Sequence, residues 1–214
     1  MKSNRVRPSF THLARREQMI QATIETVAAT GLQQATLAKI ADRLGIAKGG
    51  IIYHFDGRDQ LIDAALTQVY ERIGQAVEDH VAGAASTRDG VRRYITALMG
   101  YLDEHRLEVR LIAEAFARPQ DPERADEQVE SRWRNLAELI EAAMAEEATS
   151  HSGALDPKVL AISVSGAIDA LIAQGLREPD FDVKQAAEGL AQAIDTLIAP
   201  RASGEDTAIR KETP

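Results

Sequence analysis

The sequence TLAKIADRLGIAKGGIIYHF occupies residues 36–55. Apolar residues recur at three- and four-residue spacing on both sides of Gly45, which predicts two short amphipathic helices joined by a glycine turn. Thr36 is a suitable N-cap for the first helix. Such a pair forms a helix-turn-helix, whose second helix, residues 47–55, can enter the major groove of duplex DNA. A plain helical hairpin with a glycine turn is the alternative.

The rest of the chain also favours helices, since apolar residues keep the helical spacing and strand-like alternation is missing. Asp121-Pro122, Asp156-Pro157 and Asp182 are typical helix starts, and Pro200 ends the last helix. We predict an all-α fold of about nine helices, in which a three-helix helix-turn-helix domain precedes a helical bundle for ligand binding and dimerisation. The expected parts are a flexible basic arm (1–10), the helix-turn-helix domain (11–57), the bundle (58–200, with a linking helix at 58–82) and a disordered tail (201–214).

Charge is distributed unevenly along the 214 residues. The net charge is −8, but residues 1–60 carry +4 and the remainder carries −12. A basic head on an acidic body is reasonable if only the head approaches a polyanion, although chance clustering would look the same. The basic arm itself could reach a minor groove or simply be solvated.

Composition indicates a globular cytoplasmic protein. The chain has no cysteine, which excludes disulfides and thiolate metal sites, and its start lacks the apolar run of a secretory signal. The nearly apolar stretch 159–176 contains Asp169 and Gln174 and is more typical of a buried helix than of a membrane span, so we expect no membrane association.

Residues 15–61 resemble the DNA-binding domain of the TetR family of bacterial regulators. The resemblance rests on fixed residues at fixed spacing: Arg16 to Ile20, Ala22, Gly31, Thr36, Ile40-Ala41, Gly45-Ile46, Lys48-Gly49, Tyr53 to Phe55 and Leu61. It implies that residues 47–55 are the recognition helix.

The resemblance, with the outward positions of the predicted helix, gives a set of candidate DNA contacts. They are Thr36, Ala47, Lys48, Gly49, Gly50, Tyr53, His54 and Arg58. Three positions depart from the family pattern. Ala47 replaces the usual serine and removes a hydroxyl, Arg58 replaces a lysine and keeps its charge, and Ile52 replaces a frequent tyrosine and is expected to pack inward.

The helix predicted at 159–176 is apolar nearly all round and rich in small residues, so it must be covered on both sides. In the resembling family the last two long helices form a four-helix dimer interface, which would also supply two recognition helices. The alternative is a helix buried wholly within one chain. The expected interface residues are Ile162, Ser163, Gly166, Asp169, Ala170, Leu190 and Ile194.

Large apolar and polar residues on the middle helices could line a pocket for a small organic ligand, or they could be ordinary core. The candidates are Tyr94, Met99, Tyr101, His105, Arg110, Phe116, Trp133 and Met144. We find no catalytic triad, phosphate-binding glycine loop or His-rich metal spacing, so an enzyme, a metal site and a cofactor are not expected. The sequence predicts a homodimeric repressor released from operator DNA by an unidentified small organic ligand. The alternative is a helical carrier or interaction protein without DNA binding.

Overall fold

A computed structural model describes residues 10–116, 122–146 and 156–199, and over this part the chain is helical without strands. It contains nine helices: α1 Phe10–Thr30, α2 Leu37–Leu44, α3 Lys48–His54, α4 Arg58–Val81, α5 Thr87–Glu104, α6 Arg106–Phe116, α7 Pro122–Glu146, α8 Pro157–Arg177 and α9 Val183–Ile198. The all-α prediction is confirmed. Residues 1–9 of the predicted arm, the predicted cap Asp121 and the predicted tail 201–214 lie outside the described residues.

Capping side chains set the helix starts where the sequence places them. Thr36 accepts a hydrogen bond from the backbone N–H of Lys39 at 3.3 Å at the start of α2. The carboxylates of Asp156 and Asp182 accept from backbone N–H groups at the starts of α8 and α9. Each cap satisfies a backbone donor that has no partner within the helix.

The head, which we define as α1 to α3, is completed by helices from the body. Its buried core joins residues of α1 to α3 with the first half of α4, from Leu61 to Val69, and with Leu111 and Ala115 of α6. The core of the head therefore does not stop at residue 57. Beyond Val69, α4 continues out of the head and contributes Val77 to the second buried core, that of the remaining helices.

The body, α5 to α9 with the second half of α4, is arranged around α5. α5 packs against α4, α6, α7, α8 and α9, and its residues Ile95 and Met99 are fully buried. Burial of this continuous apolar cluster is the main favourable contribution to folding of the body.

Among the described helices, α8 alone is long and apolar enough to cross a membrane, by length and composition only. One face of it packs into the body core through Leu160, Val164 and Ile168. The opposite face is exposed, with Val159 and Ile162 accessible at 56% and 45%. The sequence predicted that α8 is covered on both sides. Within this chain, other helices cover one side of α8 and leave the other side exposed.

Candidate functional site

The turn between α2 and α3 is built by Gly45. Its φ of 64° lies in the left-handed region, which a side chain would disfavour. The N–H groups of Gly45 and Ile46 donate to the carbonyls of Asp42 and Ala41, both at 3.1 Å. These bonds close the end of α2 and direct the chain into α3 as a helix-turn-helix requires.

α3 has a buried face and an open face. Ile51 and Phe55 are buried to 0% and 1% exposure and anchor the helix on the head core. Lys48, Gly49 and Tyr53 are exposed and form the open face, and Tyr53 is 79% exposed. This is the surface that the sequence assigned to DNA.

The start of α3 lacks a side-chain cap. Ala47 occupies the N-cap position without a capping hydrogen bond and is exposed, as expected from the missing hydroxyl. The N–H of Gly50 donates to the carbonyl of Ala47 at 2.8 Å. Gly50 is half-buried, and a Cβ on it would lie 3.6 Å from Ile46 Cδ1. Gly50 thus sits at the edge of the open face.

Ile52 does not pack inward as the sequence analysis expected. Its side chain is 50% exposed, and the following Tyr53 is 79% exposed. The reason is the helical period: Ile51 takes the inward position, and the next residue is turned about 100° away from it.

His54 is also placed differently from the prediction. Its ring packs on the ring of His12 in α1, with centroids 4.4 Å apart, and its Nδ1 is buried without a hydrogen-bond partner in the described part of the chain. Burial, followed by the positive charges of His12, Arg16 and Arg15, lowers the pKa of His54. Arg16 donates to the backbone carbonyl of His54 and lies over the ring of Phe55. His54 therefore joins α1 to α3 instead of presenting its ring outward.

Arg58 is committed to the head's own backbone. Its Nε donates to the carbonyl of Ala35 at 2.8 Å, and Nη2 donates to the carbonyl of Leu32. Nη1 is 3.1 Å from the carboxylate of Asp59. The guanidinium holds the loop between α1 and α2, so these donors already have partners within the head. Thr36 is exposed beside this loop while its hydroxyl caps α2.

A largely apolar cavity of about 510 Å³ lies between α4, α5, α6, α7 and α8. Of the predicted ligand residues, Tyr94 and Phe116 line it. Its other lining residues include several that the sequence analysis did not select: Tyr70, Ile73, Leu98, Val109, Ile112, Asn135, Ser165 and Ile168. Asp169, predicted as an interface residue, also lines the cavity.

Two predicted pocket residues belong to a polar junction instead. The Tyr101 hydroxyl donates to Glu108 at 2.8 Å, and the Tyr101 ring stacks on His105 with centroids 3.9 Å apart. Glu108 is buried and also accepts from Arg72 Nη1 at 2.9 Å. Burial, then the hydrogen bond and negative charge of Glu108, raises the pKa of Tyr101. This group links α4, α5 and α6 outside the cavity.

The structure places the other four predicted pocket residues away from the cavity. Met99 is fully buried in the body core, and Met144 packs against that core. Trp133 also packs there, with Lys158 Nζ 5.0 Å from its ring centroid. Arg110 is exposed and donates to the carbonyl of Ala28 at 3.3 Å. For these side chains the alternative of structural packing is the observed one.

The predicted dimer residues divide into two groups. Ile162, Ser163, Gly166 and Ala170 form the exposed face of α8, together with Asp169. On α9, Ile194 is only 5% exposed and Leu190 is half-buried against the body core. The prediction for Ile194 is corrected, because its side chain is buried in the body core of its own chain.

Comparisons with known proteins agree with this geometry. Residues 19–65 match the model of the family "Bacterial regulatory proteins, tetR family". The HTH-type transcriptional regulator BetI 1 of Chromohalobacter salexigens is 43% identical over 82 residues, 38% of this chain and 41% of that protein. BetI of Yersinia pestis is 32% identical over 93 residues, 44% of this chain and 46% of that protein. The chain thus matches less than half the length of these curated relatives.

The whole fold recurs in solved structures. A putative transcriptional regulator from Pseudomonas aeruginosa PAO1 has a TM-score of 0.75 at 21% identity, over 91% of this chain and 93% of that one. The regulator FadR from Bacillus subtilis, in complex with stearoyl-CoA, has a TM-score of 0.73 at 16% identity, over 85% and 98%. All four of these proteins are described as transcriptional regulators. Residues 19–65 of this chain are therefore similar to the DNA-binding domain of the tetR family of bacterial regulatory proteins, and its described helices share the fold of the solved regulators.

Proposed function

We propose that this protein is a sequence-specific DNA-binding regulator of transcription that acts in the cytoplasm as a homodimer. It represses by occupying operator DNA and is released when a small organic ligand fills the cavity of the body. The observation that carries the proposal is the open face of α3, where Lys48, Gly49 and the 79% exposed Tyr53 are presented by an anchored helix-turn-helix.

The chemistry of that face suits a major groove. Lys48 offers a cation to phosphate or to the acceptors of guanine, and Tyr53 offers a hydroxyl. Gly49 is open, since a Cβ there would meet nothing within 4 Å among the described residues, so the backbone can approach the duplex closely. Thr36 can donate its hydroxyl hydrogen to a phosphate while its oxygen still caps α2.

Dimerisation is supported by the exposed face of α8. Val159 and Ile162 are large apolar side chains in contact with water, and Gly166 and Ala170 allow a second helix to approach closely. A second copy of this chain would bury that face. It would also supply a second α3, as two half-sites about 34–36 Å apart require.

Ligand response is supported by the position of α6. Val109, Ile112 and Phe116 line the cavity, whereas Leu111 and Ala115 on the other side belong to the head core. The Glu114 carboxylate accepts from the backbone N–H of Leu32 at 2.9 Å, which ties α6 to the end of α1. A ligand that displaces α6 or α4 would therefore move the head. To reverse a 99:1 equilibrium it must favour the released state by about 5.5 kcal/mol. The stearoyl-CoA of the FadR structure shows that this fold holds an organic ligand in that protein.

Fluorescence anisotropy with duplex DNA flanking the protein's own gene tests the proposal. We expect binding that weakens steeply as salt is raised, because phosphate contacts release counterions. Lys48→Ala should lower both affinity and salt dependence, whereas the matched control Lys184→Ala, at an exposed position of α9, should leave both unchanged. Undetectable binding at low salt, or equal effects of the two variants, would overturn the assignment of α3 to DNA.

A further inference from the structure

The exposure of Ile52 is unusual for its residue type. Isoleucine is among the residues most often fully buried, and the adjacent Ile51 follows that rule at 0% exposure. Ile52 is 50% exposed on a short helix whose outer face is otherwise occupied by Lys48, Gly49 and Tyr53. The inference below rests on the proposed function, in which this face meets DNA.

The neighbours of Ile52 leave its side chain accessible. Side chains of a helix lean toward its N-terminus, so Ile52 extends over the turn that contains Lys48 and Gly49. Gly49 has no side chain to cover it. The result is an aliphatic patch beside Tyr53, at the place where the helix backbone is least shielded.

This patch can distinguish bases by one property only. The isoleucine side chain has no donor or acceptor, so it cannot pair with the polar base edges of the major groove. Among those edges, thymine alone carries an apolar group, the C5 methyl. We propose that Ile52 is a specificity-determining residue that contacts a thymine methyl group in each half-site. Lys48 and Tyr53 supply the polar contacts around it.

Replacement of thymine by uracil removes that methyl group and keeps the base pair. The test first selects the preferred duplex from a random pool with the full-length protein, then substitutes each thymine of that duplex with uracil. For the wild type, one symmetry-related pair of thymines should be sensitive. The loss should be about fourfold per half-site, since removing one methyl-sized apolar contact is worth about 0.8 kcal/mol.

Ile52→Ala should bind the thymine duplex more weakly and should lose this sensitivity, with less than about a twofold response to uracil at the same positions. Ile52→Val should keep part of it. Leu107→Ala, the same kind of substitution at a 46% exposed position on α6, should respond to uracil as the wild type does. This double-mutant cycle separates the methyl contact from general effects of either change.

The possible outcomes separate DNA binding by the protein from the contact of Ile52 with a thymine methyl group. If the pool yields no preferred duplex, the proposed function fails and the role of Ile52 fails with it. If a duplex is selected but the wild type and Ile52→Ala respond equally to every uracil, the role of Ile52 is wrong while DNA binding stands.

Discussion

Replacing Glu108 with alanine should destabilise the protein by about 3 kcal/mol. The Glu108 side chain is 7% exposed and accepts hydrogen bonds from Arg72 at 2.9 Å and from the Tyr101 hydroxyl at 2.8 Å. Hydrogen bonds to a charged group contribute about 1.5–3 kcal/mol each. The hydrogen bond from Arg72 lies at the lower limit of this range, because the Arg72 side chain is 33% exposed and would still have a second carboxylate, that of Glu17, at 3.5 Å. Taking the lower limit of about 1.5 kcal/mol for each of the two bonds, their loss gives about 3 kcal/mol.

Urea denaturation at one fixed protein concentration measures this loss, since association of protomers would make the apparent stability depend on concentration. With a slope of about 2 kcal/mol per molar urea, the midpoint should fall by about 1.5 M. Glu108→Gln keeps the volume and one acceptor and should lose less. Glu104→Ala is the control: its carboxylate is 65% exposed and 3.9 Å from Lys184, and such surface changes usually stay within about 0.5 kcal/mol. If Glu108→Ala also stayed within that limit, the buried junction would contribute no stability and the reasoning would be refuted.

Three further results are expected. Gly175→Ala should lower the free energy of unfolding by about 1–2 kcal/mol, because the new Cβ would lie 2.5 Å from the buried Val183 Cγ2. This overpacking outweighs the gain in helix propensity from replacing glycine. An unchanged urea midpoint would contradict this expectation. Burial lowers the pKa of His54 in the folded protein, so the unfolded chain takes up a proton on this imidazole at a higher pH than the folded chain does. The contribution of neutral His54 to the free energy of unfolding should therefore be fully present above about pH 6.5 and decline below it. His54→Gln should remove this decline from a pH series of urea midpoints. Gly166→Arg should give monomers in sedimentation velocity, and Ala142→Arg, at an exposed position of α7, should not; if both variants remained dimers, α8 would not be the interface.

The helix boundaries were predictable because their determinants are local. Thr36, Asp156 and Asp182 each accept from a backbone N–H two or three residues later, so a few neighbouring residues contain the information. The left-handed turn at Gly45 is equally local. This is why the helix-turn-helix could be identified from about twenty residues.

The cavity was not predictable because it depends on how far each helix is rotated. Leu98 lines the cavity while the adjacent Met99 is fully buried in the core, a difference of one step of about 100° on the same helix. Residue size and polarity do not fix that rotation. The same holds for His54, whose environment is set by His12, 42 positions earlier in the chain. Such contacts arise only when α1 packs across α3.

The division of α4 between two cores limits how this protein can be recombined with others. A cut at residue 57 would strip Leu61, Ile62, Ala65 and Val69 of the partners that bury them in the head. A chimera that grafts this head onto another body should therefore retain α4 to about Val69. It should also supply residues that replace the contacts of Leu111 and Ala115, because the apolar surface that these two residues cover would otherwise be exposed to water.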